Sequence, residues 1–140
     1  MPSNIISVVY IDYDPYVAKI ISRFCERCGG VRVKPFSSVG EALKWLSQNS
    51  IDVIVSAYHM PGINGLELFK ILRTQGNETP FIIFFRGVEL DSVAKESISS
   101  DVHVSGCLLN DDDSPRNQIP TLVEMIVQVA TRRQKKSGDR

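Results

Sequence analysis

Hydrophobic and polar positions alternate in long blocks along the chain. Residues 5–11 (I-I-S-V-V-Y-I) form a near-continuous apolar, β-branched run, the pattern of a strand covered on both faces. Asp14-Pro15 then supplies an N-cap with proline at the first helical position. Val17, Ile20, Ile21, Phe24 and Cys28 recur at helical spacing until Gly29-Gly30 ends the pattern. The same order repeats. Residues 31–36 read as a strand, and Ser38-Val39-Gly40-Glu41 as a capping box ahead of Ala42, Leu43, Trp45 and Leu46. Residues 51–56 predict a third strand, and 66–74 a helix carrying Leu68, Phe69, Ile71 and Leu72. Residues 81–85 and 102–109 predict two more strands. A weaker helix is expected over 89–99 and a final one from Thr121 to about Lys136.

Five strand–helix units with short connections imply α/β architecture, a parallel sheet with helices on both faces. Right-handed crossovers narrow this to a (βα)5 doubly wound, flavodoxin-like sheet of order 2-1-3-4-5. Residues 1–133 are expected to form one domain, with 134–140 a basic C-terminal tail or linker.

Charge sharpens that division. The formal net charge is zero, yet residues 131–140 hold five basic groups and one acid. A mildly acidic body with a basic tail is not expected to be a dedicated nucleic-acid binder, which would carry a basic face across the fold, although the basic run could touch nucleic acid or anionic lipid. Arg132, Arg133, Lys135 and Lys136 instead complement the end of a helix dipole and lead into a linker. No run is apolar and long enough for a membrane span or a signal, so no membrane partner and a cytoplasmic location are expected. Three cysteines provide no disulfide framework. Cys25-Glu26-Arg27-Cys28 lies near the end of a helix, the wrong end for a stabilised thiolate, and has no second ligand pair for zinc. Core packing is expected for Cys28 and no role for Cys25.

In this topology, ligands bind where the strands end. That crevice is expected to be lined by Asp12, Tyr13, Asp14, Ala57, Tyr58, His59, Phe85, Arg86, Asn110 and Asp111–Asp113. Here Ile11-Asp12-Tyr13-Asp14-Pro15 and the stretch from Asp52 to Gly65 (D-V-I-V-S-A-Y-H-M-P-G-I-N-G) resemble the receiver domain of two-component response regulators, the CheY-like superfamily. The resemblance covers residues 5 to about 133. It implies a fold that carries a phosphoacceptor aspartate, a pair of acids for Mg²⁺, a hydroxyl and a lysine, with a histidine kinase as donor.

Position by position, the scaffold agrees and the chemistry does not. The phosphoacceptor falls on Ala57 and the second acid on Tyr13, leaving Asp12 alone. The hydroxyl falls on Phe85, the lysine on Asn110 and the aromatic switch residue on Cys107. A carboxylate is needed to make an acyl phosphate, and one acid holds Mg²⁺ poorly. The resemblance therefore implies a degenerate, pseudo-receiver domain of phosphorelay signalling. It would be no enzyme, would have no resident cofactor, and would act by protein–protein contact, with a histidine kinase or sensor module as partner.

Other readings stay open. Asp12 could bind a cation weakly with Asp14 or Asp111–Asp113, against the plainer reading of a helix cap and a solvated loop. Ser56, Tyr58 or His59 could accept phosphate, but nothing nearby would activate them. A small-ligand or cation sensor could use the crevice around Asp12, Tyr13, Phe85 and Asn110. An active receiver would require another alignment, and the nearest acid, Asp52, begins its strand at the far end of the sheet. The last helix is apolar over more than one stripe. It is either well buried or a partner face, with Leu122, Met125, Ile126 and Val129 as the interface of a homodimer or another partner.

Overall fold

The computed structural model describes residues 5–84, 102–105 and 115–138, with side chains at 5–84 and 120–131. The elements are β1 (Ile6–Ile11), α1 (Pro15–Cys28), β2 (Val31–Phe36), α2 (Val39–Gln48), β3 (Val53–Ala57), α3 (Gly65–Thr74), β4 (Phe81–Phe84), β5 (Val102–Ser105) and α4 (Pro115–Gly138). The strands form one parallel sheet of order β2-β1-β3-β4-β5, as the alternating pattern predicts. The helix expected over 89–99 and the end of the fifth strand lie outside the described residues.

Apolar runs became central strands because both faces of the sheet are covered. Every residue of β3 and β4 is buried. Successive side chains alternate between two cores. Val8, Tyr10, Val53, Val55, Ile82 and Phe84 face α1 and α4. Val9, Ile11, Ile54, Phe81 and Ile83 face α2 and α3. Leu66, Leu68, Phe69 and Leu72 bind α3 to that second core, each such burial contributing roughly 1.5–3 kcal/mol before entropy.

The helix caps follow from sequence. Asp14 accepts hydrogen bonds from the backbone N–H groups of Tyr16 and Val17, with Pro15 behind it. Ser38 accepts from Glu41 N–H at α2, and Asn64 and Glu67 close a reciprocal capping box at α3. On α1, Glu26 accepts a hydrogen bond from Val33 N–H in β2 at 2.8 Å.

Four expectations need correction. On α1, Cys25 is buried and Cys28 exposed, the reverse of the reading from periodicity. The stripe facing the sheet runs through Ala18, Ile21, Ser22 and Cys25, one step from the predicted one, so Cys28 falls past the last packed turn. Burial pushes the Cys25 thiol up to about 12, with the Cys28 thiol and Glu26 carboxylate adding to the shift.

On α4, Pro120 lies inside the helix, which begins at Pro115. The ring sacrifices one i→i−4 bond there without stopping the helix. The helix also runs to Gly138, through most of the stretch expected to be a loose tail. Arg, Lys and Gln there are good helix formers, and the basic ones suit its C-terminal end. Finally, Leu122, Ile126 and Val129 are buried in the chain's own core, and Met125 packs against it. Leu122, Ile126 and Val129 are therefore taken up by the chain's own core, while Val127 on the same helix stays 38% exposed.

Candidate functional site

The carboxyl ends of the strands carry the turn after β1 (residues 12–14), the turn after β2 (37–38) and the loop after β3 (58–64). That loop is shaped by two glycines. Gly62 has φ of +80° directly after Pro61, the combination a type II turn needs. Gly65 N–H donates to the Tyr58 carbonyl at 2.8 Å and closes the loop. A Cβ on Gly65 would lie 2.7 Å from the Ala57 carbonyl oxygen, so only glycine fits. The M-P-G-I-N-G stretch is thus held by backbone geometry, independent of any reactive group at its start.

Four residues meet on the α1/α4 side of this end. Tyr10 and Phe84 belong to that core, and Asp12 and Ala57 follow two residues after Tyr10 and Val55 on the same face. The register pairs Ile11 with Ser56 and Ala57 with Phe84, so Asp12, Ala57 and Phe84 form a row across β1, β3 and β4. The row is sealed: Asp12 is 0% exposed, Ala57 3% and Phe84 0%.

Asp12 is held from within. Its Oδ2 accepts a hydrogen bond from the Tyr10 hydroxyl at 3.0 Å, and its Oδ1 accepts from Asp14 N–H at 3.1 Å. Asp12 N–H donates to the Phe36 carbonyl, continuing the β1–β2 ladder. Sequence reasoning placed Asp12 in the crevice but missed Tyr10. The available signal was a polar-tipped tyrosine two residues upstream in an otherwise aliphatic strand.

Tyr13 points the other way and is 51% exposed, with Tyr16 at 71% close by on α1. A hollow of about 360 Å³ lies beside Tyr13, lined by Ile11, Ser37, Ser38, Val39, Met60 and Pro61. Tyr58 is half-buried against the second core and meets exposed His59 edge-on at 4.9 Å. Ser56 is fully buried and donates its hydroxyl to the Ala57 carbonyl at 2.8 Å. Structure therefore brings Asp12 and Ala57 together and separates Tyr13 from them. Phe85, Arg86, Cys107, Asn110 and Asp111–Asp113 lie outside the described residues.

Asp52 is at the opposite end of the sheet. Its Oδ2 accepts from Ser7 N–H at 2.8 Å and from the Ser7 hydroxyl at 3.0 Å. It ties the start of β3 to β1 and does not reach the crevice.

Among the described residues, the donors at this end of the sheet do not make the set of several oxygen ligands in a tight octahedron that Mg²⁺ asks for. Asp12 already carries a hydrogen bond on each oxygen, and positions 13 and 57 supply no carboxylate. Among the described residues, no three His, Cys, Asp or Glu side chains group as a metal site. No helix among them is long and apolar enough to cross a membrane.

Residues 8–109 match the family described as the response regulator receiver domain. The transcriptional regulatory protein MalR of Bacillus subtilis is 35% identical over 91 residues, covering 64% of this chain and 39% of MalR. Response regulator UvrY of Escherichia coli is 40% identical over 63 residues, covering 44% of this chain and 29% of UvrY. The chain thus spans well under half the length of these curated relatives. The receiver domain of Francisella response regulator 1452 superposes with a TM-score of 0.69 at 29% identity, over 91% of this chain and 98% of that one. The response regulator domain of Thermotoga maritima CheB gives 0.73 over 91% and 97%, at 20% identity, a likeness of fold.

Proposed function

The chain belongs to the response regulator receiver domain family, and from that membership we propose that it is a pseudo-receiver, signalling by protein contact without being phosphorylated. One observation carries this reading. The end of β3 presents Ala57, 3% exposed, beside Asp12, 0% exposed, where phosphoryl transfer needs a reachable carboxylate. Ser56 is buried and bonded to a backbone carbonyl, and Asp52 is committed to Ser7 at the other end of the sheet. Neither stands in for the missing nucleophile.

The partner in this reading is a protein of the same signalling system, a histidine kinase, a sensor module or an effector domain. No catalytic step is assigned to the chain. The test is an amide NMR titration with Mg²⁺ and then beryllium fluoride, together with intact mass after incubation with acetyl phosphate. Unchanged spectra around Asp12 and Ala57 and an unchanged mass are expected. A gain of one phosphoryl group, or saturable shifts at those residues, would sink the proposal.

The hollow beside Tyr13 favours a second reading, a small-ligand sensor. About 360 Å³ lies at the low end of ligand-pocket volumes, and its mixture of apolar side chains with two serines suits a small uncharged molecule. A screen of such molecules by thermal shift would separate the two, since a ligand of the folded state raises Tm with concentration. A Tm that no compound moves would leave the protein-contact reading alone.

A further inference from the structure

Cys25 and Cys28 stand three residues apart in the last turn of α1, and the proposed function uses neither. The fold makes them unlike. Cys25 is 3% exposed, in the core between the sheet, α1 and α4, whereas Cys28 is exposed. We infer that they form an oxidation site, in which Cys28 meets a hydroperoxide from solvent and Cys25 resolves it into an intramolecular Cys25–Cys28 disulfide.

The spacing brings the two sulfurs within reach. Residues three apart on a helix have Cα atoms about 5 Å apart, inside the span of a disulfide. Their Cβ atoms stand about 5–6 Å apart, so the turn must tighten by roughly 1.5 Å for the bond to close. The end of α1 is a place where a helix can do this. Cys28 is its final residue, and Gly29 and Gly30 follow at φ of +90° and +85°. Among the described residues, nothing crowds either glycine. The two thiols already interact, since burial holds the Cys25 proton and the neighbouring Cys28 adds to that hold.

The chemistry balances with a hydroperoxide as the oxidant. The Cys28 sulfur attacks one peroxide oxygen, and the O–O bond breaks. With hydrogen peroxide, the leaving hydroxide takes up the thiol proton and departs as water. Cys28 is then a sulfenic acid, oxidised by two electrons. The Cys25 sulfur attacks it, an S–S bond forms and the S–O bond breaks. The Cys25 proton leaves with that hydroxide as a second water. Burial decides the roles: solvent oxidant reaches Cys28 and not Cys25, and among the described residues Cys28 is the other thiol. A helix C-terminus gives a thiolate no help, so the site oxidises slowly and once, unlike the pair of a redox enzyme.

The test uses the full chain and does not depend on whether it is phosphorylated. The reduced protein is treated with hydrogen peroxide, quenched with acid and weighed intact, before and after dithiothreitol. A monomer lighter by the mass of two hydrogens is expected, restored by dithiothreitol. Trypsin cuts after Arg23, Arg27 and Arg32, so the bridge joins the peptides Phe24–Arg27 and Cys28–Arg32, and reduction separates them. Cys28→Ser changes an exposed position and leaves the core intact. It is expected to abolish the linked pair and to leave Cys25 a free thiol at the same peroxide dose. An unchanged mass overturns the inference. So does Cys28 passing to sulfinic or sulfonic acid while Cys25 stays a thiol, a covalent dimer through Cys28, or a bridge to Cys107. A linked pair that forms only in denaturant overturns it as well, because the folded turn would then be unable to close.

Discussion

Two aspartates tie β1 to its surroundings at opposite ends of the sheet, and they do so under different solvation. Asp12, at the carboxyl end, is fully buried and draws its donors from Tyr10 and Asp14. Asp52, at the amino end, is half-buried and takes both donors from Ser7. What could replace those bonds differs between the two. Water can replace Ser7 at Asp52, whereas nothing from solvent reaches Asp12. Around Asp12 and Ala57, the carboxyl end of the sheet is filled by internal polar contacts and tight backbone packing.

The hardest break is at the loop that frames this end. Gly65→Ala would drive a methyl group against the Ala57 carbonyl, 2.7 Å from an ideal Cβ, and is expected to cost about 3 kcal/mol or more. Chemical denaturation measures it, and a loss below about 1 kcal/mol would mean that the loop yields easily. Next comes Asp12→Ala, which leaves a buried tyrosine hydroxyl and a turn amide without this acceptor. A loss of about 2–3 kcal/mol is expected. Asp52→Ala should cost only about 1 kcal/mol, because water takes over at Ser7. If Asp52→Ala proved the more damaging of these two, the contrast between the ends would fail.

The smallest effect concerns α1. Cys28 is expected to react quickly with a thiol reagent, while Cys25 reacts only on unfolding, since burial holds its proton up to about 12. The sign follows from linkage. Above pH 9, the unfolded Cys25 thiol loses its proton while the folded one keeps it, so its contribution to stability falls as pH rises from about 9 towards 12. In Cys25→Ala, that part of the alkaline decline should disappear from the denaturation midpoints.

How much of this could be read in advance depended on how local the information was. Strand order followed from the apolar runs at 5–11, 51–56 and 81–85 and from the helical patterns between them. The loop through Gly62 and Gly65 was legible because Pro-Gly and Gly mark backbone needs that only those residues meet. The packed face of α1 was missed by one residue, because Val17, Phe24 and Cys28 are as apolar as the positions that became buried. The expected start of the last helix at Thr121 fell short of Pro115, because a helix can carry a proline such as Pro120 at the cost of one bond. The Tyr10–Asp12 and Ser7–Asp52 bonds escaped for different reasons. The first joins neighbours two apart on one strand face and was available from alternation alone. The second spans 45 residues and required the register of β1 against β3.

The bond from Glu26 to Val33 has a further consequence at the outer side of β2. Ile6 N–H takes the Gly30 carbonyl and Asp12 N–H takes that of Phe36, so even-numbered residues between them turn towards β1 and odd-numbered ones outward. Of those outward residues, Val33 has given its N–H to Glu26, and Pro35 has none to give. An incoming strand would therefore find a row stripped of most of its donors. The sheet is protected on this side against growth by strand addition, the route by which exposed edges recruit copies of themselves into aggregates.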